Sequence, residues 1–163
     1  MTGVQISAAP YIHKIKKNVL IKEVLVDTNA LFIPGEFGVD IFGELERLGY
    51  RHIIVLKAVM NELDRLRREL KGKEKRAANV GYSLLLRYLQ HKASEQEQMP
   101  GRCKVTLDEA DVGEMNTDDL ILEVAVKKNA AVLTIDEPLK RKLTKAGIVT
   151  VYLRGKSRLE EKG

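Results

Sequence analysis

The sequence predicts an α/β fold, a three-layer α/β/α sandwich built on a central parallel sheet. Short continuous apolar runs such as VLV (24–26), IIVL (53–56) and AVLTI (131–135) alternate with longer stretches whose apolar residues recur every three to four positions. Strands that are apolar on both faces belong to a parallel sheet covered by helices on each side. The chain has 163 residues, 44% of them hydrophobic and 31% charged, which suits one domain with a buried core and no need of disulfides.

Residues 1–21 carry His13, Lys14, Lys16 and Lys17 and are expected as a basic N-terminal extension. The folded unit is expected over residues 22–154. Residues 23–26 form the first strand, ended by the turn-forming Asp27, Thr28 and Asn29. Pro34, Gly35 and Gly38 signal a turn, and residues 39–48 have helical spacing up to Gly49. A strand at 52–56 leads into a helix over about 59–70, Gly72 interrupts, and a second helix covers about 75–91. The polar run 93–101, ending in Pro100-Gly101, is expected as loop, and 104–107 as a weak strand. Then follow a helix at 117–128, a strand at 131–135, a helix at 137–145 ended by Gly147, and a strand at 148–153. Residues 155–163 are expected as a polar C-terminal tail.

Several functional classes are excluded by what the chain lacks. It has no P-loop pattern, no GxGxxG after a strand and no GxSxG elbow. Its one cysteine, Cys103, is expected to be a small buried hydrophobe. His13, His52 and His91 are too scattered for a histidine-based site or a zinc site. No apolar run approaches the roughly 18 residues of a membrane span, and the N-terminus lacks the charge order of a secretory signal. The expected compartment is the cytoplasm, with no membrane partner.

Formal net charge is +5, unevenly spread. Residues 106–123 hold seven acids and no Lys or Arg, whereas 65–76 hold seven bases against two acids and 138–163 eight bases against two. Such a chain can grip a polyanion on one face and hold cations on another; plain solvated helix faces are the alternative.

In open α/β sheets, functional groups collect beyond the carboxyl ends of the strands. Four acids are expected there: Asp27 after the first strand, Glu62 in the helix after the second, Asp118 or its neighbour Asp119 opening the helix at Thr117, and Asp136 after the strand at 131–135. Singly, each also has a structural reading. Asp27 can make an Asx-turn, and Glu62 can face solvent and pair with Arg65 or Arg67. Asn116 and Asp119 can form a capping box, and Asp136 can cap the helix beginning at Glu137. Jointly, carboxylates converging on one place stay ionised only with a cation among them, and Mg²⁺ or Mn²⁺, hard ions that prefer oxygen, suit that role. Their substrate would be a phosphodiester.

The segments VLVDTNALF (24–32), VMNELDRL (59–66), NTDDLILEVA (116–125) and VLTIDEPLKRKL (132–143) resemble, in order and spacing, the four acidic motifs of the PIN-domain nucleases. Within that superfamily, TDDLI, LTIDEPLKRKL and the closing IVTVYLR look closest to archaeal relatives of the PIN endonuclease that processes small-subunit rRNA. VapC-type toxins are the other large branch, from which the basic extension and the basic stretch 65–76 depart. The resemblance implies a metal-dependent endoribonuclease selective for single strands, cutting RNA such as pre-rRNA within a ribosome precursor. It matches Asp27, Glu62, Asp118 and Asp136 to the acidic quartet. Thr28 and Asn29 match the small polar residues after the first acid, and Thr134 the hydroxyl residue two before the last.

Asp27 and Asp118 are expected to hold the principal Mg²⁺ or Mn²⁺, with Glu62 and Asp136 completing the site. Asp118 falls at the edge of the helix's buried face, one turn before Ile121 and Leu122, whereas Asp119 lies over Glu123 and serves as cap or outer ligand. RNA contacts are expected from Lys140, Arg141 and Lys142, and from Arg65, Arg67 and Arg68; for the last three, pairing with Asp64 and Glu69 is the alternative. With 5% aromatic residues and no Trp, base stacking is a minor term. Oligomeric state is not readable from the sequence. Many relatives form homodimers, and the apolar face over 80–89, with Tyr82 and Tyr88, is the candidate surface. Two other functions remain open at this point: a toxin ribonuclease, and a non-catalytic RNA- or pre-ribosome-binding module.

Overall fold

The computed structural model describes residues 22–90, 103–109 and 113–163. The expected N-terminal extension and the whole of the expected loop at 93–101 lie outside them. The strands are β1 (Lys22–Val26), β2 (Tyr50–Leu56), β3 (Lys104–Asp108), β4 (Ala131–Leu133), β5 (Thr150–Arg154) and β6 (Arg158–Lys162). The helices are α1 (Ile33–Phe37), α2 (Ile41–Arg47), α3 (Lys57–Glu69), α4 (Gly72–Gln90), α5 (Thr117–Lys128) and α6 (Glu137–Lys145), and a 3-10 turn at Thr28–Phe32 links β1 to α1.

One six-stranded sheet in the order β3-β2-β1-β4-β5-β6 forms the middle layer. The first five strands in that order are mutually parallel, and β6 runs antiparallel along β5. Chain order therefore reverses at β1, which has β2 on one side and β4 on the other. Helix α4 packs against α3, α1 and the 3-10 turn, while α5 packs against α6. Right-handed crossovers put these two groups on opposite faces, because the chain moves one way from β1 to β3 and the other way from β4 to β5. Val24, Leu25, Ile53, Val55, Leu56, Val105, Val132 and Leu133, none of them exposed, fill the space between the layers. Cys103 is buried, and burial pushes its thiol up to about 12, consistent with a packing role.

Three local outcomes differ from the sequence reading. The turn expected at Pro34-Gly35 is the first turn of α1: proline suits a helix start, and Gly38 closes the helix in the left-handed conformation, φ 68°. The strand expected to run to residue 135 stops at Leu133, which frees Thr134–Asp136 to form the loop of the site. Residues 155–163 are not a tail, because most of them form β6. Its backbone pairs with β5 from Thr150↔Lys162 to Arg154↔Arg158, and Leu159 is fully buried. Edge strands bury one residue in few, so RLEEK carries no apolar run to announce itself.

Candidate active site

β1 and β4 lie side by side where the strand order reverses, the place at which open α/β sheets form their crevice. The Asp27 N–H donates to the Leu133 carbonyl at 2.9 Å, which extends the β1–β4 ladder by one residue and delivers both chain ends to the same level. Asp27 is 3% exposed. Its Oδ1 accepts from the Thr28 N–H at 2.8 Å, capping the 3-10 turn, and its Oδ2 accepts from the Thr134 hydroxyl at 2.7 Å. The Asn29 side-chain oxygen accepts from the Ile135 N–H at 3.2 Å and so ties the turn after β1 to the loop after β4. Thr134 Oγ1 also accepts from the Asp136 N–H at 3.1 Å. Thr134 and Asn29 thus stitch the two loops together, while Thr28 bonds the neighbouring Asp27 through its N–H.

The other acids approach from helices. Asp136 caps α6, its Oδ1 accepting from the Leu139 N–H at 3.1 Å. Glu62, half-buried on α3, accepts at Oε2 from the Thr117 hydroxyl at 3.2 Å, a link between the two helical layers. Asn116 caps α5 by accepting from the Asp119 N–H at 2.8 Å. Asp118 and Asp119 diverge. Asp118 feels Asp136 and Glu62, whereas Asp119 faces Lys142, whose Nζ is 3.7 Å from its Oδ1. Thr117 was not singled out in the sequence. It is separated from Glu62 by 55 positions, and only its place at a helix start, one residue before Asp118, could have suggested it.

Electrostatics bind these residues into one site. Burial is the largest influence on Asp27 and pushes its carboxyl up from an ordinary 3.8 to about 6; the Asp118 and Asp136 charges push the same way, against the Thr134 and Thr28 hydrogen bonds. Asp118 is also raised, first by burial, then by Asp136 and Glu62, with Lys142 opposing. Among the described residues, no three acidic, histidine or cysteine side chains sit at mutual ligand distances. A divalent cation nevertheless suits this corner. The donors are all hard oxygens, their repulsion is what a cation relieves, and the Thr28 hydroxyl is buried beside Asp27 without a hydrogen-bond partner.

The bond from Thr134 carries a prediction. Thr134→Val removes the donor that lowers Asp27 and strands the Asp136 N–H. The acid limb of a cleavage–pH profile, taken at limiting Mn²⁺, should move up by about one pH unit, the worth of a charge-assisted hydrogen bond. An unmoved limb would contradict the role given to this hydroxyl.

The basic candidates divide into two groups. Arg65 pairs with Glu69 at 2.7 Å, Arg67 and Arg68 pair with Asp64 at 2.7 and 3.2 Å, and Arg67 stacks 4.1 Å over the Tyr82 ring. The structural alternative thus describes all three. On α6, Lys140 pairs with Glu137 at 3.3 Å, Arg141 is exposed, and Lys142 stands beside the acid cluster. The proposed dimer surface is partly spent internally: Tyr88 stacks on Phe42 with 4.5 Å between ring centroids, Tyr82 lies under Arg67, and Val80 is exposed.

Known proteins share this fold. Over 143 residues the chain is 28% identical to "Ribonuclease VapC9" of Archaeoglobus fulgidus, covering 88% of this chain and 91% of that protein. Its fold matches that in "Structure of the PIN domain endonuclease Utp24" with a TM-score of 0.63 at 18% identity, over 86% of this chain and 90% of that one. It matches a domain of a protein of unknown function from Methanocaldococcus jannaschii with a TM-score of 0.52 at 25% identity, over 82% of this chain and 92% of that one. The model of the family described as "PIN like domain" fits residues 24–156. That span runs from β1 into the turn after β5 and takes in every acid of the cluster, so the chain belongs to the PIN-like domain family.

Proposed function

We propose that this protein is a Mg²⁺- or Mn²⁺-dependent endoribonuclease that hydrolyses phosphodiesters of single-stranded RNA in the cytoplasm, in maturation of pre-rRNA or a comparable precursor. The observation that carries the reading is the convergence of Asp27, Asp118 and Asp136, with Glu62 behind Asp118, at the reversal point of the sheet. A protein that only bound RNA would gain nothing from repelling carboxylates at its crevice.

Asp27 and Asp118 would hold the principal cation, with Asp136 and Glu62 completing the set. When bound, the cation supplies Lewis-acid chemistry, activating water and neutralising charge on the phosphate. Thr134 and Asn29 keep Asp27 and the loop after β4 at one level, and the Thr28 N–H holds the other oxygen of Asp27. Thr117 holds Glu62 toward α5, and Asn116 fixes the helix start that presents Asp118. Lys142 turns Asp119 aside and adds positive charge at the rim, where Lys140 and Arg141 are placed to meet RNA phosphates.

The test is incubation of the purified protein with a labelled single-stranded RNA and its duplex in Mn²⁺, Mg²⁺ and EDTA. Metal-dependent cutting of the single strand is expected, lost in Asp118→Asn and largely kept in Asp119→Asn. Salt-sensitive binding without cutting would favour the non-catalytic module. The similarity to VapC9 favours a second reading, a toxin-type ribonuclease. Growth arrest on expression, relieved by the product of an adjacent small gene, would select it over a maturation role.

A further inference from the structure

The basic C-terminal stretch brings a second cationic feature to the same end of the sheet. β4 and β5 are parallel with Leu133 beside Val151, and the Thr134 N–H donates to the Val151 carbonyl at 3.2 Å. Arg154, the end of β5, therefore stands three residues beyond the level of Leu133. At about 3.3 Å per residue and about 4.8 Å between strands, Arg154 stands roughly 7 Å beyond the level of Asp27, one strand from the loop of Asp136 and two from Asp27.

The turn is closed by the Ser157 N–H donating to the Arg154 carbonyl at 3.2 Å. Its central residues, Gly155 and Lys156, both have positive φ, 61° and 60°. Tight hairpins of this hand fill those positions with Gly, Asn or Asp, and a lysine there holds a left-handed backbone that glycine would adopt freely. Residues 154–158 are all exposed. They present three cations; Arg154 and Arg158 pair with Glu160 at 2.7 and 2.8 Å, and Lys156 and Ser157 line a surface groove with Asp40 and Glu44. Arg47 is paired with Glu44, so the four cations exceed the three acids by one, with Lys156 at the apex. Lys140 of α6, its Nζ 5.5 Å over the Tyr152 ring, connects this turn to the basic face of α6 beside the acids.

We infer that the β5–β6 turn is an RNA-backbone contact, with Lys156, Arg154 and Arg158 gripping phosphates a short single-stranded span away from the acid cluster. The inference rests on the nuclease reading for the nature of its ligand. The turn itself carries no apolar or aromatic side chain; Phe37 of α1 stands across the groove that Lys156 lines, so the turn's own chemistry is that of phosphate neutralisation.

The test measures binding of the full-length protein to a labelled single-stranded 20-mer RNA in EDTA, across a salt series. Lys156→Gly should bind about three- to fivefold more weakly at low salt, with the log–log salt slope smaller by about 0.7, the value for one phosphate contact on a single strand. Its melting temperature should be equal or higher, because glycine accepts the left-handed turn. Arg154→Ala with Arg158→Ala should lower the slope further. Unchanged affinity and slope would overturn the inference, as would a loss that merely follows a lowered melting temperature, or an equal loss toward polyglutamate. Cleavage in Mn²⁺, run in parallel, separates the two readings. Intact wild-type cutting with unaffected variants removes the turn alone. Weakened RNA binding with no wild-type cutting leaves the turn and removes the nuclease.

Discussion

Asp27→Asn should abolish RNA cleavage and, in the same molecule, make the metal-free protein more stable at neutral pH. The Asp27 carboxyl is buried and raised from 3.8 to about 6. A folded value above the unfolded one means that the folded state holds this proton more tightly. The stability it contributes is therefore complete below about pH 4 and is lost as pH rises through about 6. The full excursion is on the order of 3 kcal/mol. Asparagine keeps the shape and never acquires the charge. Urea denaturation in EDTA should find the two proteins alike near pH 3.5 and the variant more stable by about 2–3 kcal/mol at pH 7.5. Cleavage should fall at least roughly a thousandfold. A variant that is less stable than the wild type at pH 7.5, or that still cuts, would contradict the role assigned to this carboxylate.

The largest expected loss of stability is at Gly81→Ala, which touches no acid. α4 lies so close to the 3-10 turn that a Cβ on Gly81 would overlap the Leu31 carbonyl, a backbone atom that cannot swing away. Nearby, a Cβ on Gly35 would sit 2.5 Å from the Ala77 Cα, so α1 offers no room for α4 to retreat along its own axis. Alanine gains about 1 kcal/mol of helix propensity, and overpacking costs about 1–3 kcal/mol or more. With a backbone atom in the way the clash sits at the top of that range, and the net loss should be about 2 kcal/mol, or roughly 4–8 °C in melting temperature. The displaced turn carries Asn29, so cleavage should fall too. A variant as stable as the wild type would show that α4 can move.

The strands were legible because their apolar runs are continuous, and Leu25, Ile53, Ile54 and Val132 are indeed sealed on both faces. β6 was not, since only Leu159 of its five residues is buried and strand identity there comes from pairing with β5. α1 was hidden by Pro34 and Gly35, which serve equally as turn signals and as a helix start beneath a close-packed neighbour. In the site, the positions of the four acids were legible from their order after successive strands. Their hydrogen bonds were not. Thr117 to Glu62 and Thr134 to Asp27 join residues 55 and 107 positions apart, and only the approach of the start of α5 to Glu62 and the pairing of β1 with β4 create them. Which arginines are free was likewise invisible, because helix spacing permits both solvation and the pairs with Asp64 and Glu69 that form.

The central claim is that one acid cluster around the buried Asp27, at the reversal of the sheet, takes up a divalent cation. Calorimetric titration with Mn²⁺ at pH 6, in two buffers of different ionisation enthalpy, addresses it directly. Since Asp27 titrates at about 6, uptake by the wild type should release roughly half a proton per ion. Asp27→Asn and Asp118→Asn should bind far more weakly, the former without that release. Undiminished Mn²⁺ binding by both variants, or none by the wild type, would contradict it.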